Sequence, residues 1–140
     1  MVQITEIVLR RSDVATLRDW VEENEPYEAC ALLIGEIKNG IARVDDLILT
    51  PSTSISRVHF EIDPELLLKI LLEAEEKSKE LVSIFHSHPT TPYPSGIDIP
   101  YMKNYPNTVW LIQGLPRTEL IHAYQFFNED IVEVKVRIIH

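Results

Sequence analysis

Two histidines separated by one residue, His86 and His88, are the side chains of this 140-residue chain with the clearest chemical use. They end an apolar run over residues 81–85 that predicts a buried strand. Side chains at positions i and i+2 of a strand point to the same face, so both imidazoles can bind one small cation. Asp98, a hard oxygen ligand, follows ten residues later. Two histidines and a carboxylate leave an open position on tetrahedral zinc, as catalytic sites do, although iron(II) uses similar ligands.

Each of these residues also suits an ordinary structural role. A histidine at a strand end is usually exposed or hydrogen-bonded in the core, and the pair alone is weak evidence for a metal. Asp98 could instead cap the helix that follows it, and Ser95 could be a turn residue before Gly96. The close spacing of these polar residues favours the metal site.

A base is needed to activate water on such an ion, and Glu28 is the candidate. It precedes an apolar run over residues 29–34, where an unpaired carboxylate is costly. Zinc lowers the pKa of bound water to about 7, and a nearby carboxylate can take the proton and return it to the leaving group. On this segment alone, a solvated glutamate at the end of an acidic helix is the simpler interpretation.

The elements that must position these residues follow from hydrophobic periodicity and turn chemistry. Helices are expected over residues 13–24, with Ser12 as N-cap, over 98–104, and from Asp63-Pro64 onward. Asn39-Gly40 predicts a tight hairpin between residues 36–38 and 41–49. Residues 51–56 and the proline-rich residues 89–96 are expected to be loops. Further strands over 2–9, 81–85, 108–112, 120–127 and 131–139 complete a mixed α+β domain.

Taken together, the polar segments resemble one known family. Its JAMM motif, found in the MPN/JAB1 metalloproteases, is similar to Glu28 before Cys-Ala-Leu-Leu-Ile-Gly, to His86-Ser87-His88-Pro89 and to Ser95-Gly96-Ile97-Asp98. The resemblance spans nearly the whole chain. It implies one JAMM/MPN domain over residues 1–140, with an α+β, cytidine-deaminase-like architecture in which helices flank a mixed sheet in three layers.

The resemblance implies a zinc-dependent isopeptidase or peptidase that cleaves after the C-terminal Gly-Gly of ubiquitin-like modifier or sulfur-carrier proteins. His86, His88 and Asp98 would then be the zinc ligands, and Glu28 would activate the metal-bound water. Ser95 would donate a hydrogen bond to the oxyanion. Six residues rather than the family's usual seven separate His88 from Ser95, a difference that would change the aim of Ser95. The chain also lacks the long insertions of eukaryotic relatives, which indicates a minimal, prokaryotic-type member.

Two other functions stay open on the sequence. Some relatives with this fold lose the ligands and serve as binding or scaffold modules. A zinc hydrolase of another bond, such as a small amide or a phosphoester, would also use these residues.

Composition narrows the partners. Thirteen Lys and Arg against 22 Asp and Glu give a formal net charge of −9, which disfavours nucleic acid and anionic membranes as main partners. No apolar run reaches the roughly 18–20 residues that span a bilayer. Residues 1–10 lack the features of a signal peptide. The single cysteine, Cys30, excludes an internal disulfide and favours a cytoplasmic location, and an exposed strand or the Ile138-Ile139 end could support a homodimer.

Overall fold

The computed structural model describes residues 2–51, 62–88, 93–96, 98–114 and 121–140, and in them helices separate single strands and runs of consecutive strands. Residues 52–56 and 89–92 of the two expected loops therefore lie outside the described residues. None of the helices in the described part is long and apolar enough to cross a membrane. The elements, in chain order, are β1 Glu6–Arg10, α1 Arg11–Asn24, β2 Cys30–Lys38, β3 Ile41–Thr50, α2 Pro64–Glu76, β4 Glu80–Ser87, α3 Asp98–Asn104, β5 Val109–Gln113, β6 His122–Phe127 and β7 Asp130–Ile139.

The strands form one mixed sheet in the order β1-β3-β2-β4-β5-β6-β7. Strand β2 pairs antiparallel with β3 and with β4, and β4 pairs parallel with β5. The sheet closes because β1 also pairs parallel with β7. The expected α+β fold is confirmed. Closure was not expected, since nothing local in the sequence pairs the two ends of the chain.

Helices cover the sheet on two sides. One apolar cluster joins Val14 and Leu17 of α1 to Ala31 of β2 and Phe85 of β4. The other joins α2 and α3 to the neighbouring, oppositely facing strand residues, among them Leu32, Ile84 and Trp110. Successive side chains of β2 and β4 therefore point into two different apolar cores, one on each face of the sheet. This arrangement gives the expected three layers.

The predicted N-cap of α1, Ser12, is wrong by two residues. Arg10 is the N-cap, and the Asp13 carboxylate accepts hydrogen bonds from the Arg10 backbone N–H and guanidinium, each at 3.0 Å. The same guanidinium donates to the carbonyl of Asp45 at 2.8 Å. The start of α1 is thus set by a local capping box, and a tertiary contact with β3 supports it.

The first predicted strand also begins later than expected, at Glu6. The side chain of Gln125, on β6, accepts from the Ile4 N–H at 2.7 Å and donates to the Val2 carbonyl at 2.8 Å. The Gln125 side-chain amide therefore satisfies backbone groups of Val2 and Ile4 that a neighbouring strand would otherwise pair with.

The most local predictions are confirmed. Asn39 and Gly40 both have positive φ, 55° and 78°, and join β2 to β3 in a two-residue hairpin. Asp63 caps α2 by accepting from the Glu65 N–H at 3.0 Å, and Pro64 occupies the first turn.

Gly35 lies where the pairing of β2 with β3 shifts register, between Ile34 and Gly35. A Cβ atom at Gly35 would lie 1.8 Å from the carbonyl oxygen of Arg43, so only glycine permits this close approach. The β-bulge therefore depends on the absence of a side chain.

We expect Gly35→Ala to lower the free energy of unfolding by about 1–3 kcal/mol, the usual cost of overpacking. Gly96→Ala is the matched control, because a Cβ there meets nothing within 4 Å. Urea denaturation of both variants measures the difference. Equal stability of the two variants would contradict the close approach at Gly35.

Candidate metal centre

Strand register brings Glu28 to the two histidines. Cys30, the first residue of β2, lies opposite His86 of β4 in the antiparallel pair. Extended backbone places residues two apart on the same face, so Glu28 and His88 extend that pairing on the side where His86 points. One ligand atom from each of Glu28, His86 and His88 lies within 4.8 Å of the others, and all three residues are buried.

The two imidazoles face each other as the i, i+2 spacing predicted. Their Nε2 atoms are 2.7 Å apart and their ring centroids 4.6 Å apart. The edge-on contact of His86 with Trp110, at a centroid distance of 5.7 Å, orients one ring. The backbone N–H of His88 donates to the Gln113 carbonyl at 2.8 Å, so β5 holds the other histidine just past the end of β4.

Asp98 reaches the same point from α3. Its Oδ2 lies 2.9 Å from Nε2 of His88, and its Oδ1 lies 3.4 Å from Nε2 of His86. The expected ligand set of two histidines and one aspartate is thus brought together, with Glu28 beside it.

Ser95 and Asp98 form a reciprocal capping box at the start of α3. The Ser95 backbone N–H donates to Asp98 Oδ2 at 2.8 Å, and the Asp98 N–H donates to Ser95 Oγ at 3.3 Å. The Ser95 carbonyl accepts from the Ile99 N–H at 3.2 Å, as an N-cap residue does. Asp98 is therefore not itself the N-cap: Ser95 is, and the Asp98 carboxylate completes the capping box while it contacts both imidazoles.

Burial and mutual contacts shift the pKa values of the site's ionisable groups in different directions. Burial raises the pKa of Glu28 to about 7, with His88 opposing and Asp98 adding to the shift. Burial also raises the pKa of Asp98, but hydrogen bonds from His86 and His88 outweigh it, so that pKa lies well below its usual range. Burial lowers the pKa of His86. A neutral imidazole and an ionised aspartate are the protonation states that bind a cation.

The donor set fits a divalent transition metal. Two imidazole nitrogens and a carboxylate oxygen converge on one buried point, and these are donors that zinc and iron(II) accept. The arrangement leaves Glu28 beside the donors.

Some supporting residues were not found from the sequence. Ser87 is part of the motif, and Trp110 falls in the predicted strand over residues 108–112, which stops one residue short of Gln113. The predicted strand over residues 108–112 was the available signal, but only its parallel pairing with β4 places it beside the histidines.

Comparison with known proteins places this site in a family. Residues 11–126 match the sequence profile of the prokaryotic homologs of the JAB domain. The chain belongs to this prokaryotic JAB family. The resemblance to MPN/JAB1 proteins is thereby confirmed.

Two curated relatives of this JAB domain are enzymes by name. It is 41% identical over 93 residues to the desampylase of Pyrococcus furiosus, covering 66% of this chain and 63% of that protein. It is 30% identical over 135 residues to the lysine-63-specific deubiquitinase BRCC36 of Camponotus floridanus, covering 83% and 53%. The matches thus span between about half and two thirds of the relatives' own length.

Solved structures support the fold of this JAB domain. The solution structure of a Desulfitobacterium hafniense protein superposes with a TM-score of 0.79 at 23% identity, covering 94% of this chain and 92% of that one. A Salinibacter ruber protein gives 0.67 at 18% identity, covering 94% and 90%.

We expect the protein to bind about one zinc ion and His86→Ala to weaken that affinity by roughly 100-fold or more, because loss of a ligand should cost at least as much as the roughly 10–100-fold of outer-shell changes. His122→Ala is the control, because His122 lies on β6 and its Nδ1 is 3.9 Å from Oε1 of Glu133 rather than among the proposed ligands. Calorimetry with a competing chelator measures both variants. An unchanged zinc affinity in His86→Ala would contradict a metal site at this histidine.

Proposed function

We propose that this JAB domain is a zinc-dependent isopeptidase or peptidase that cleaves after the C-terminal Gly-Gly of ubiquitin-like modifier or sulfur-carrier proteins. The observation that carries the proposal is the buried convergence of Glu28 with His86 and His88, beside Asp98. Two relatives are named a desampylase and a deubiquitinase, which supports a protein modifier as the substrate.

His86, His88 and Asp98 are the proposed zinc ligands. When bound, zinc supplies Lewis-acid activation of water and of the scissile carbonyl. The chain holds each ligand through a different neighbour: Trp110 packs against His86, and the Gln113 carbonyl accepts from the His88 backbone. The Ser95 N–H donates to the Asp98 carboxylate. Such outer contacts fix ligand geometry before the metal arrives.

Glu28 is the proposed general acid and base. Hydrolysis of an amide moves one proton from water to the leaving nitrogen, and a single carboxylate can carry it. Glu28 is 5% exposed and close to both imidazoles, so its carboxylate faces the ligands rather than bulk solvent. Asp98 is the less suitable base because both imidazoles and the Ser95 N–H already occupy its oxygens.

Ser95 is the proposed oxyanion donor. Its Oγ accepts the Asp98 N–H at 3.3 Å, and a serine hydroxyl that accepts one hydrogen bond can still donate another. The capping box keeps this hydroxyl one helical turn from the ligand carboxylate, despite the shortened spacing from His88.

We expect Glu28→Gln to retain one zinc while its cleavage rate falls roughly 100–10,000-fold, the usual contribution of a general acid–base group. Glu23→Gln is the control, because Glu23 is an exposed carboxylate on α1. The substrate is a ubiquitin-like protein fused through its Gly-Gly tail, assayed beside an isopeptide-linked conjugate and with a chelator.

The same assay separates the alternatives. If Glu28→Gln cleaves as fast as the parent, the mechanism is wrong. Binding without cleavage by the zinc-loaded parent would indicate a scaffold module. Cleavage of small amides alone would indicate a hydrolase of another bond.

We expect Ser95→Ala to lower kcat by roughly 100–1,000-fold, the cost of losing one oxyanion donor, and stability by about 1 kcal/mol, the cost of losing a cap. Ser95→Thr keeps the hydroxyl and should recover much of both. Stopped assays and urea denaturation at equal zinc content separate the two effects. A loss of stability with unchanged kcat would leave Ser95 with its capping role only.

The remaining proposals concern organisation. We infer that residues 1–140 form a single domain, because β1 and β7 close one sheet, and that the protein acts in the cytoplasm. A homodimer through Ile138 and Ile139 stays a prediction. Ile138 and Ile139 pair with Leu9 and Arg10 of β1, whereas the pairing of β7 with β6 covers only residues 130–134 of β7.

A further inference from the structure

Ser87, between the two histidines, forms two hydrogen bonds with Ala29, the residue after Glu28. The Ser87 backbone N–H donates to the Ala29 carbonyl at 3.0 Å, and the Ala29 N–H donates to Ser87 Oγ at 2.9 Å. Both residues are buried, with 1% of their surface exposed. A side-chain hydroxyl therefore takes the place that a strand carbonyl would have in a regular antiparallel pair.

These bonds hold the chain just beyond the end of regular pairing. The recorded registers of β2 with β3 and with β4 both start at Cys30, so residues 28 and 29 precede them. The Ala29 N–H belongs to the planar peptide unit that also contains the Glu28 carbonyl. Fixing that N–H fixes the plane and limits where the Glu28 side chain can point.

Ser87 reaches Ala29 without competing for the metal donors. Alternation along β4 puts His86 and His88 on one face and Ser87 on the other, with Phe85. The hydroxyl thus acts on the backbone of the neighbouring chain segment rather than on the imidazoles.

We propose that Ser87 is a positioning residue for Glu28, because its hydroxyl fixes the Ala29 amide and thereby aims the Glu28 carboxylate at the histidine pair. The consequence for turnover rests on the proposed function, but the positioning itself does not. Without the hydroxyl, a buried N–H loses its acceptor, and the segment must shift to find another.

Ser83 provides the matched control. It lies on the same strand, is fully buried, and its Oγ has no hydrogen-bond partner among the described residues. Ser83→Ala and Ser87→Ala remove the same atom from equally buried positions of β4. Only the second removes an acceptor from Ala29.

The test combines amide exchange with kinetics on the zinc-loaded protein. We expect Ser87→Ala to speed exchange of the Ala29 amide by roughly 10–100-fold, the range given by one lost bond to a buried donor. We expect kcat to fall by a similar factor, with KM within about twofold and zinc content unchanged. Ser87→Thr, which keeps the hydroxyl, should restore both, and Ser83→Ala should behave as the parent.

Further variants keep the two proposals separable. In the Glu28→Gln background, Ser87→Ala should cause no additional loss of kcat, whereas a general structural defect would add to it. If the parent cleaves none of the substrates, exchange of the Ala29 amide still tests whether the Ser87 hydroxyl holds that amide in place. If Ser87→Ala fails to fold, Ser87→Cys, with a weaker acceptor of similar size, replaces it.

The inference is overturned by two results. One is an Ala29 amide that exchanges equally slowly in Ser87→Ala and in Ser83→Ala. The other is a loss of zinc in Ser87→Ala, because the hydroxyl would then support the ligands and not Glu28.

Discussion

The antiparallel register between β2 and β4 is the constraint on which the site depends. With Cys30 opposite His86, Glu28 falls on the face where the imidazoles point. A slip of one residue would turn Glu28 toward the other core. Further along β2, Gly35 lets β3 approach closely at the bulge in the β2–β3 pairing.

The start of α3 couples stability to chemistry. The hydrogen bonds between Ser95 and Asp98 that begin this seven-residue helix also aim the Asp98 carboxylate at both imidazoles. Met102, fully buried in the cluster with α2, anchors the same helix against the sheet. A short helix can be precise here because its first turn is tied to the histidines and its last turn is tied to a core.

Burial gives the site its electrostatic character. Grouping two carboxyls and two imidazoles out of water is costly unless they satisfy one another. The contacts do so unequally: Asp98 is bonded by both histidines and stays ionised, whereas desolvation dominates at Glu28. The two carboxyl groups of the site therefore differ in pKa because their surroundings differ, although both are carboxylic acids. This difference suits Asp98 to bind a cation and Glu28 to exchange a proton.

The sequence by itself determined the features that depend on residues close along the chain. The hairpin at Asn39-Gly40, the capped start of α2 at Asp63 and the shared face of His86 and His88 all follow from local backbone geometry. By contrast, the sequence offered Glu28 only as a candidate base and did not determine that it lies beside the histidines.

The tertiary structure alone decided the closure of the sheet and the bond between Ser87 and Ala29. Each of these depends on contacts between segments far apart in the chain. The pairing of such segments is selected by the packing of whole strands and helices, and a short stretch of residues does not contain that information.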